Sequence, residues 1–531
     1  MTLRKDIYRA ALAALLSVVA VLPAPAQLRL NLSDGSPLRK LETAEAAING
    51  FYVDSVDEER LVEDAIRGML AELDPHSSYT TAKETRAVNE PLRGSFDGIG
   101  VQFNMVDDTL VVIQPVTGGP SERVGIVAGD RIVMVDDTVI AGVKMSTDEI
   151  MRRLRGPRGT TVDLLVMRRD IAGVIPFTVT RDRIPVTTID AAYMIRPSVG
   201  YVRIGSFGAT TYDEFTTAVD SLRAMGMESL IIDLQDNGGG YLHTAASIAE
   251  TFLDDGDMIV YMEGRAVRRD EYYATSDGAL RAMPLTVLIN EYSASASEIF
   301  AGAMQDHDRA LVVGRRSFGK GLVQRPIEFA DGSMIRLTVA HYYTPSGRCI
   351  QKPYSKGAKA DYYKDIQRRL ERGELQSADS IHFADSLLFY TLKEHRPVYG
   401  GGGIMPDVFV ALDTTLYTAF HRQAAARGII IKVTLRYADT RRDDLLARYG
   451  TAERFAEEYD VPPSLIDDVV RESAAIDLRP SDDDELSRSI PRLSLQLKAL
   501  VARDLWGSGE YYRVINEGNP IVTEALQRML P

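Results

Sequence analysis

The chain carries one cysteine, Cys349, among 531 residues. No internal disulfide and no cysteine-built metal cluster is therefore open to it. Histidine is scarce as well: His76, His243, His307, His341, His382, His395 and His421 stand at no zinc-ligand spacing. No metal and no cofactor is expected. Basic charge is in deficit, with 61 Lys and Arg against 75 Asp and Glu and a formal net charge of −14. That leaves no cationic surplus for phosphates and excludes general nucleic-acid binding. The phosphate-loop and dinucleotide fingerprints are both absent. Beyond Leu22 no apolar run is long enough to span a bilayer.

What is present begins at the N-terminus. Arg4, Lys5 and Arg9 precede an apolar stretch from Ala10 to Leu22, followed by Ala24-Pro25-Ala26. This is the layout of a secretory signal peptide over 1–26, with an uncleaved anchor as the alternative. The expectation is an exported, periplasmic or cell-envelope protein, near the membrane if the segment stays.

Three further segments carry the chemistry. The apolar run 285–289 leads into Ser293-Ala294-Ser295-Ala296-Ser297-Glu298 and then a helical pattern over 298–305. A serine on such a strand-to-helix turn has its hydroxyl where open α/β sheets place their sites, at a helix N-terminus that favours developing negative charge. Ser295-x-x-Glu298 equally fits a capping box. Phe318-Gly319-Lys320-Gly321 follows. A serine needs a base, and lysine can serve once burial lowers its pKa from about 10.4. Gln324 would hold the amine through its amide oxygen without adding charge, whereas a carboxylate there would oppose the neutral form. A Gly-Lys-Gly surface turn is the competing reading, and His243 the rival base. The third segment is strand 230–234 running into Asp236-Asn237-Gly238-Gly239-Gly240. Glycines at that junction expose backbone N–H groups, as an oxyanion hole or a tight turn does.

In this order the segments resemble the C-terminal processing peptidases, Ser/Lys-dyad serine proteases with a PDZ domain. Tyr342-Tyr343-Thr344-Pro345-Ser346-Gly347-Arg348 and Gly401-Gly402-Gly403-Ile404-Met405-Pro406-Asp407 look family-like too. The resemblance covers roughly 40–410. It implies Ser295 as nucleophile, Lys320 as general base, Gln324 as the lysine's partner, and the N–H groups of Gly239 and Ala296 as oxyanion hole. The family's turn reads Asp-Leu-Arg-x-Asn-Pro-Gly-Gly, so Gln235 and Gly238 depart from it.

Length implies several domains. Helical periodicity fills the N-terminal region over 27–90. The stretch 91–183 resembles a PDZ domain, with Gly98-Ile99-Gly100-Val101 as carboxylate-binding loop. A peptide would add as a strand beside 101–103, its last side chain lined by Ile99, Phe103, Ile150 and Leu154. From 184 to 412 strands and helices alternate, as in an α/β protease core that resembles the crotonase fold. Helical periodicity resumes over 413–531, read as a cap on the core with an acidic linker at 481–485. A helical insertion is expected over 370–387. The expected class is a multidomain α/β protein, and the expected function an exported serine endopeptidase. It would capture accessible polypeptide C-termini through the PDZ domain and cut through an acyl-enzyme. A non-catalytic PDZ scaffold or holdase, and a hydratase-like enzyme, are the alternatives. A homo-oligomer or adaptor partner is left open.

Overall fold

The computed structural model describes residues 36–169, 171–415 and 417–529. The expected signal peptide at 1–26 lies outside the described residues. The chain divides into two compact units, up to Leu70 and from Ala71 onward. In the first, Pro37 opens the helix Pro37–Phe51 at a position where its missing N–H costs nothing. The helix Glu58–Ala71 starts on two acids, which suit a helix N-terminus.

Two of the second unit's sheets frame its main core. Strands Val199–Ile204, Ser229–Asp233, Leu285–Ile289 and Leu311–Gly314 lie parallel side by side. Ile189–Arg196 extends one edge antiparallel and Val408–Phe409 the other edge parallel. The central strands read as unbroken apolar runs because both faces are covered. Leu230 and Ile232 pack with residues of the helices Thr211–Ala224, Leu242–Glu250 and Ala296–Asp306. Ile231 and Leu288 pack on Ile521, Val522 and Ala525 of the last helix, Pro520–Met529. The C-terminal helices thus cap the core by supplying its second layer. In the other sheet the long strand Met334–Tyr343 pairs antiparallel with Leu322–Glu328, Ser78–Thr80 and Met258–Glu263. That arrangement places the Lys320 turn at the mouth of a hairpin.

A separate antiparallel sheet of Val101–Val106, Thr109–Pro115, Arg131–Val135, Thr161–Met167 and Ile175–Thr180 forms the small β unit, closed by the helix Thr147–Leu154. Ser146 caps that helix by accepting from the Glu149 N–H. Pairing of Ser95–Gly98 with Asp182–Pro185 ties the unit's entry and exit together.

Two expectations need correction. Residues 481–485 are no linker: Asp482 caps the helix Asp483–Trp506 by accepting from the Glu485 N–H, and the acids beside it favour the helix N-terminus. No continuous helix covers 370–387. The helix Asp365–Glu371 stops before Gly373, which sits at φ 76°, and only two single 3-10 turns follow.

Candidate active site

Ser295 occupies the turn between the strand Leu285–Ile289 and the helix Ala296–Asp306, with φ 59° and ψ −115°. Side-chain-bearing residues rarely adopt that backbone, and here the surroundings fix it. Ala294 N–H and Ser297 Oγ both donate to the Asn237 carbonyl, each at 2.9 Å, while Ser293 Oγ donates to the Leu234 carbonyl at 2.7 Å. The serine turn is therefore fastened to the glycine-rich turn by its own small residues. Gly239 faces it closely: a Cβ there would lie 2.7 Å from Ser295 Cβ and 2.9 Å from Ala296 N. With φ 101° as well, only glycine fits.

Glu298 does more than cap the helix. It is fully buried, and its Oε2 accepts from the N–H of Ser295 at 2.8 Å and of Lys320 at 2.9 Å. Its Oε1 accepts from Gly319 N–H at 2.7 Å and from Ser317 Oγ at 2.5 Å. Burial raises the Glu298 pKa, and these four donors oppose the rise. On the other side the Tyr342 hydroxyl donates to the carbonyls of Ser295, at 3.1 Å, and of Lys320. One carboxylate oxygen thus holds the N–H groups of residues 295 and 320, and one phenol holds their carbonyls. Ile404 N–H donates to Ser317 Oγ at 2.6 Å, so the 401–407 stretch braces the lysine turn.

The Lys320 amine donates to Gln324 Oε1 at 3.2 Å. Gln324 Nε2 in turn donates to the His76 carbonyl at 2.7 Å, which fixes the amide's orientation. Burial, and then the charge of Arg336, lower the Lys320 pKa, while Glu298 and Asp74 act in the opposite direction. Burial followed by the Lys320 charge also lowers the His76 pKa to about 3, so its ring is neutral. That ring meets the Tyr362 hydroxyl at 2.9 Å, and Phe318 packs edge-on against Tyr362. Asp74 holds the turn by accepting from the His76 and Ser77 N–H groups and from Thr338 Oγ1. His243, the rival base, is exposed and stacks on Tyr241.

Of the two expected oxyanion donors, Ala296 N–H opens its helix and has no acceptor among the described residues. Gly239 N–H donates to Asn237 Oδ1 at 2.8 Å, so it can serve an oxyanion only by sharing or exchanging that bond. In the small β unit a cavity of about 370 Å³ is lined by Ile99, Gly100, Val101, Phe103 and Leu154 together with Phe96, Met151 and Arg155. Gly98 pairs with Asp182 just before the loop. Ile150 is not on the wall: it is wholly buried in the unit's core, and Met151, one position further round the helix, takes its place.

The roles of Glu298, Tyr342 and His76 escaped sequence reasoning. Glu298 was visible only as a cap, because its other partners lie 19 to 22 residues further along the chain. Tyr342 belongs to the stretch 342–348, whose sequence alone indicates no partner for it.

Substituting Gln324→Glu would place a carboxylate against the amine and favour the ammonium. If the neutral amine is the active form, the acidic limb of the pH–rate profile moves up by about one pH unit or more, with activity recovering at alkaline pH. Initial rates from pH 6 to 10 check this, and an unmoved limb contradicts it.

Several parts of the chain match known protein families. The profile of peptidase family S41 matches residues 198–363, and that of the PDZ domain matches 111–168. Residues 24–85 match the activating protease CtpB N-terminal domain, and 420–507 match a family of unknown function, DUF8443. A carboxy-terminal-processing protease of Bartonella bacilliformis is 36% identical over 305 residues, covering 56% of this chain and 69% of that protein. The carboxy-terminal processing protease CtpA of Bacillus subtilis is 34% identical over 348 residues, covering 64% and 74% respectively. A probable CtpA-like serine protease of Staphylococcus aureus is 36% identical over 343 residues, covering 64% and 67%.

Proposed function

The chain belongs to the C-terminal processing peptidases of family S41, and from that premise we propose an exported endopeptidase acting through a Ser295–Lys320 dyad. The observation that carries the dyad is the shared anchoring of both residues' N–H groups on Glu298 and both carbonyls on Tyr342.

In this reading the PDZ domain takes a polypeptide's C-terminus, its last side chain in the apolar cavity beside Phe103 and Leu154. Neutral Lys320 accepts the Ser295 proton as Oγ attacks the peptide carbonyl. The oxyanion falls to Ala296 N–H and to Gly239 N–H as Asn237 Oδ1 yields it. The ammonium then protonates the leaving amine, giving an acyl-enzyme and regenerating the base. The same amine takes a proton from water, whose oxygen attacks the ester carbonyl. Collapse of that second tetrahedral intermediate returns the proton to Ser295 Oγ and frees the new C-terminus. Gln324 steers the amine throughout without adding a countercharge. Export is supported by the basic–apolar–small pattern of residues 4–26.

The test uses the full chain and an unstructured polypeptide ending in an apolar residue, with products mapped by mass spectrometry. Internal cleavage is expected, and amidating the substrate's C-terminus is expected to raise KM about tenfold by removing a charge-assisted contact. Absence of internal cleavage overturns the peptidase reading, and an indifferent KM overturns capture by the C-terminus.

A further inference from the structure

The C-terminal helices reach both the root of the glycine-rich turn and the PDZ domain. Arg203, on the strand Val199–Ile204, lies buried beneath the glycine-rich turn. It donates to the Gln235 carbonyl at 2.7 Å and to Asp233 Oδ2 at 2.9 Å, and its Nη2 lies 3.5 Å from an Asp236 carboxylate oxygen. The other face of its guanidinium is covered by Tyr512 of the helix Ser508–Ile515, 4.6 Å from the ring centroid. Asn519, just beyond that helix, donates to Gln235 Oε1 at 3.4 Å. The root of the turn that carries Asn237 and Gly239 is thus clasped from below by C-terminal residues.

The second contact is with the PDZ domain. Asp439, on the helix Ile429–Tyr449, pairs with Arg131 at 2.6 Å and Arg169 at 3.0 Å. Three residues earlier on that helix, Arg436 pairs with Asp107 at 3.1 Å. Between the two contacts the region is one packed body. Ile430 and Val433 join Leu493, Leu497 and Leu500 in a core that Tyr511 packs against, and Tyr511 is Tyr512's neighbour in sequence.

We propose that this C-terminal body couples the position of the PDZ domain to the oxyanion turn, with Tyr512 and Arg203 as positioning residues. A cation held between a ring and three acids, Asp233, Asp236 and Asp190 (whose carboxylate lies 3.4 Å from Arg203 Nε), has little freedom, and its two-armed hydrogen bonding orients the Gln235 carbonyl. Displacement of the ring loosens the turn from below, where Gly238, Gly239 and Gly240 offer no side-chain stiffness of their own. The inference rests on the peptidase reading above, and it assigns the region from 419 onward a role in turnover.

Four full-length proteins test it on the same unstructured polypeptide: wild type, Tyr512→Leu, Asp439→Ala and the double variant. Tyr512→Leu is expected to lower kcat about tenfold to a hundredfold through misplacement of the turn, with KM unchanged. Affinity for a peptide boronate, whose tetrahedral adduct needs the oxyanion donors, falls by the same factor. Binding of a fluorescent peptide to the PDZ domain stays the same, a split that a merely structural role would not produce. Asp439→Ala lowers kcat by a smaller factor, and the double variant is no slower than Tyr512→Leu alone. Should Tyr512→Leu melt early, Arg203→Lys keeps the charge and loses the fork, and the same kcat and boronate losses are expected. A kcat within about twofold of wild type for Tyr512→Leu or Arg203→Lys overturns the positioning role. Losses that multiply in the double variant overturn the coupling. An inert wild type would instead condemn the peptidase reading, so the two failures are distinct.

Discussion

Lys320→Ala is expected to lose at least about a thousandfold in turnover, the scale set by removing the proposed general base from two successive steps. Stability changes less. Burial already disfavours the ammonium, so the protein gives up the bond to Gln324 Oε1, about 1 kcal/mol, and the packing of the lysine stem, a similar amount of about 1 kcal/mol. Lys320→Arg sharpens the point, because guanidinium keeps the charge and cannot be deprotonated in a protein. It is expected to be as inactive as alanine. Steady-state rates beside thermal melts give the answer, and an arginine variant with near-normal turnover would rule out proton abstraction at this position.

Glu298→Ala is the second large effect, and it strikes fold and chemistry together. The N–H groups of Ser295, Gly319 and Lys320 and the hydroxyl of Ser317 all lose their acceptor inside the protein. Each unmet buried donor costs about 1–3 kcal/mol, so a loss of roughly 3–5 kcal/mol is expected once water relieves part of it. The core's melting temperature then falls by roughly 10 °C. Glu298→Gln separates the two contributions. It keeps the volume and one accepting oxygen, but turns an NH2 toward two donors, so the protein folds while kcat drops about a hundredfold. A glutamine variant with full activity would mean that the carboxylate does not set the spacing of the two turns.

Parts of this arrangement were plain in the chain and parts were not. The strand Leu285–Ile289 falls at the bounds that its apolar run and flanking turn residues suggest, and Ser229–Asp233 lies within one residue of the expected 230–234. Those signals are local, and so is the placement of Ser295 between a strand and a helix. The fastening of residue 295 to residue 320 is not local. It depends on two side chains, Glu298 and Tyr342, whose partners become neighbours only when the hairpin closes over the helix. The same limit explains Ile150. A helix turns by about 100° per residue, so a one-position error exchanges the pocket wall for the core. The acids at 481–485 resembled a linker in composition, yet they serve as a helix start, which charge alone does not disclose. Nor does any sequence pattern reveal that the Asn237 side chain takes the Gly239 N–H.

In the proposed mechanism an uncharged amine at position 320 activates the hydroxyl at position 295. Covalent labelling by a small fluorophosphonate, followed by peptide mapping across pH 6 to 10, tests it without substrate or PDZ domain. A single adduct on Ser295 is expected, formed at neutral pH along a titration lying below that of an ordinary lysine and lost in Lys320→Ala. Labelling of Ser295 at an unchanged rate in Lys320→Ala would contradict it.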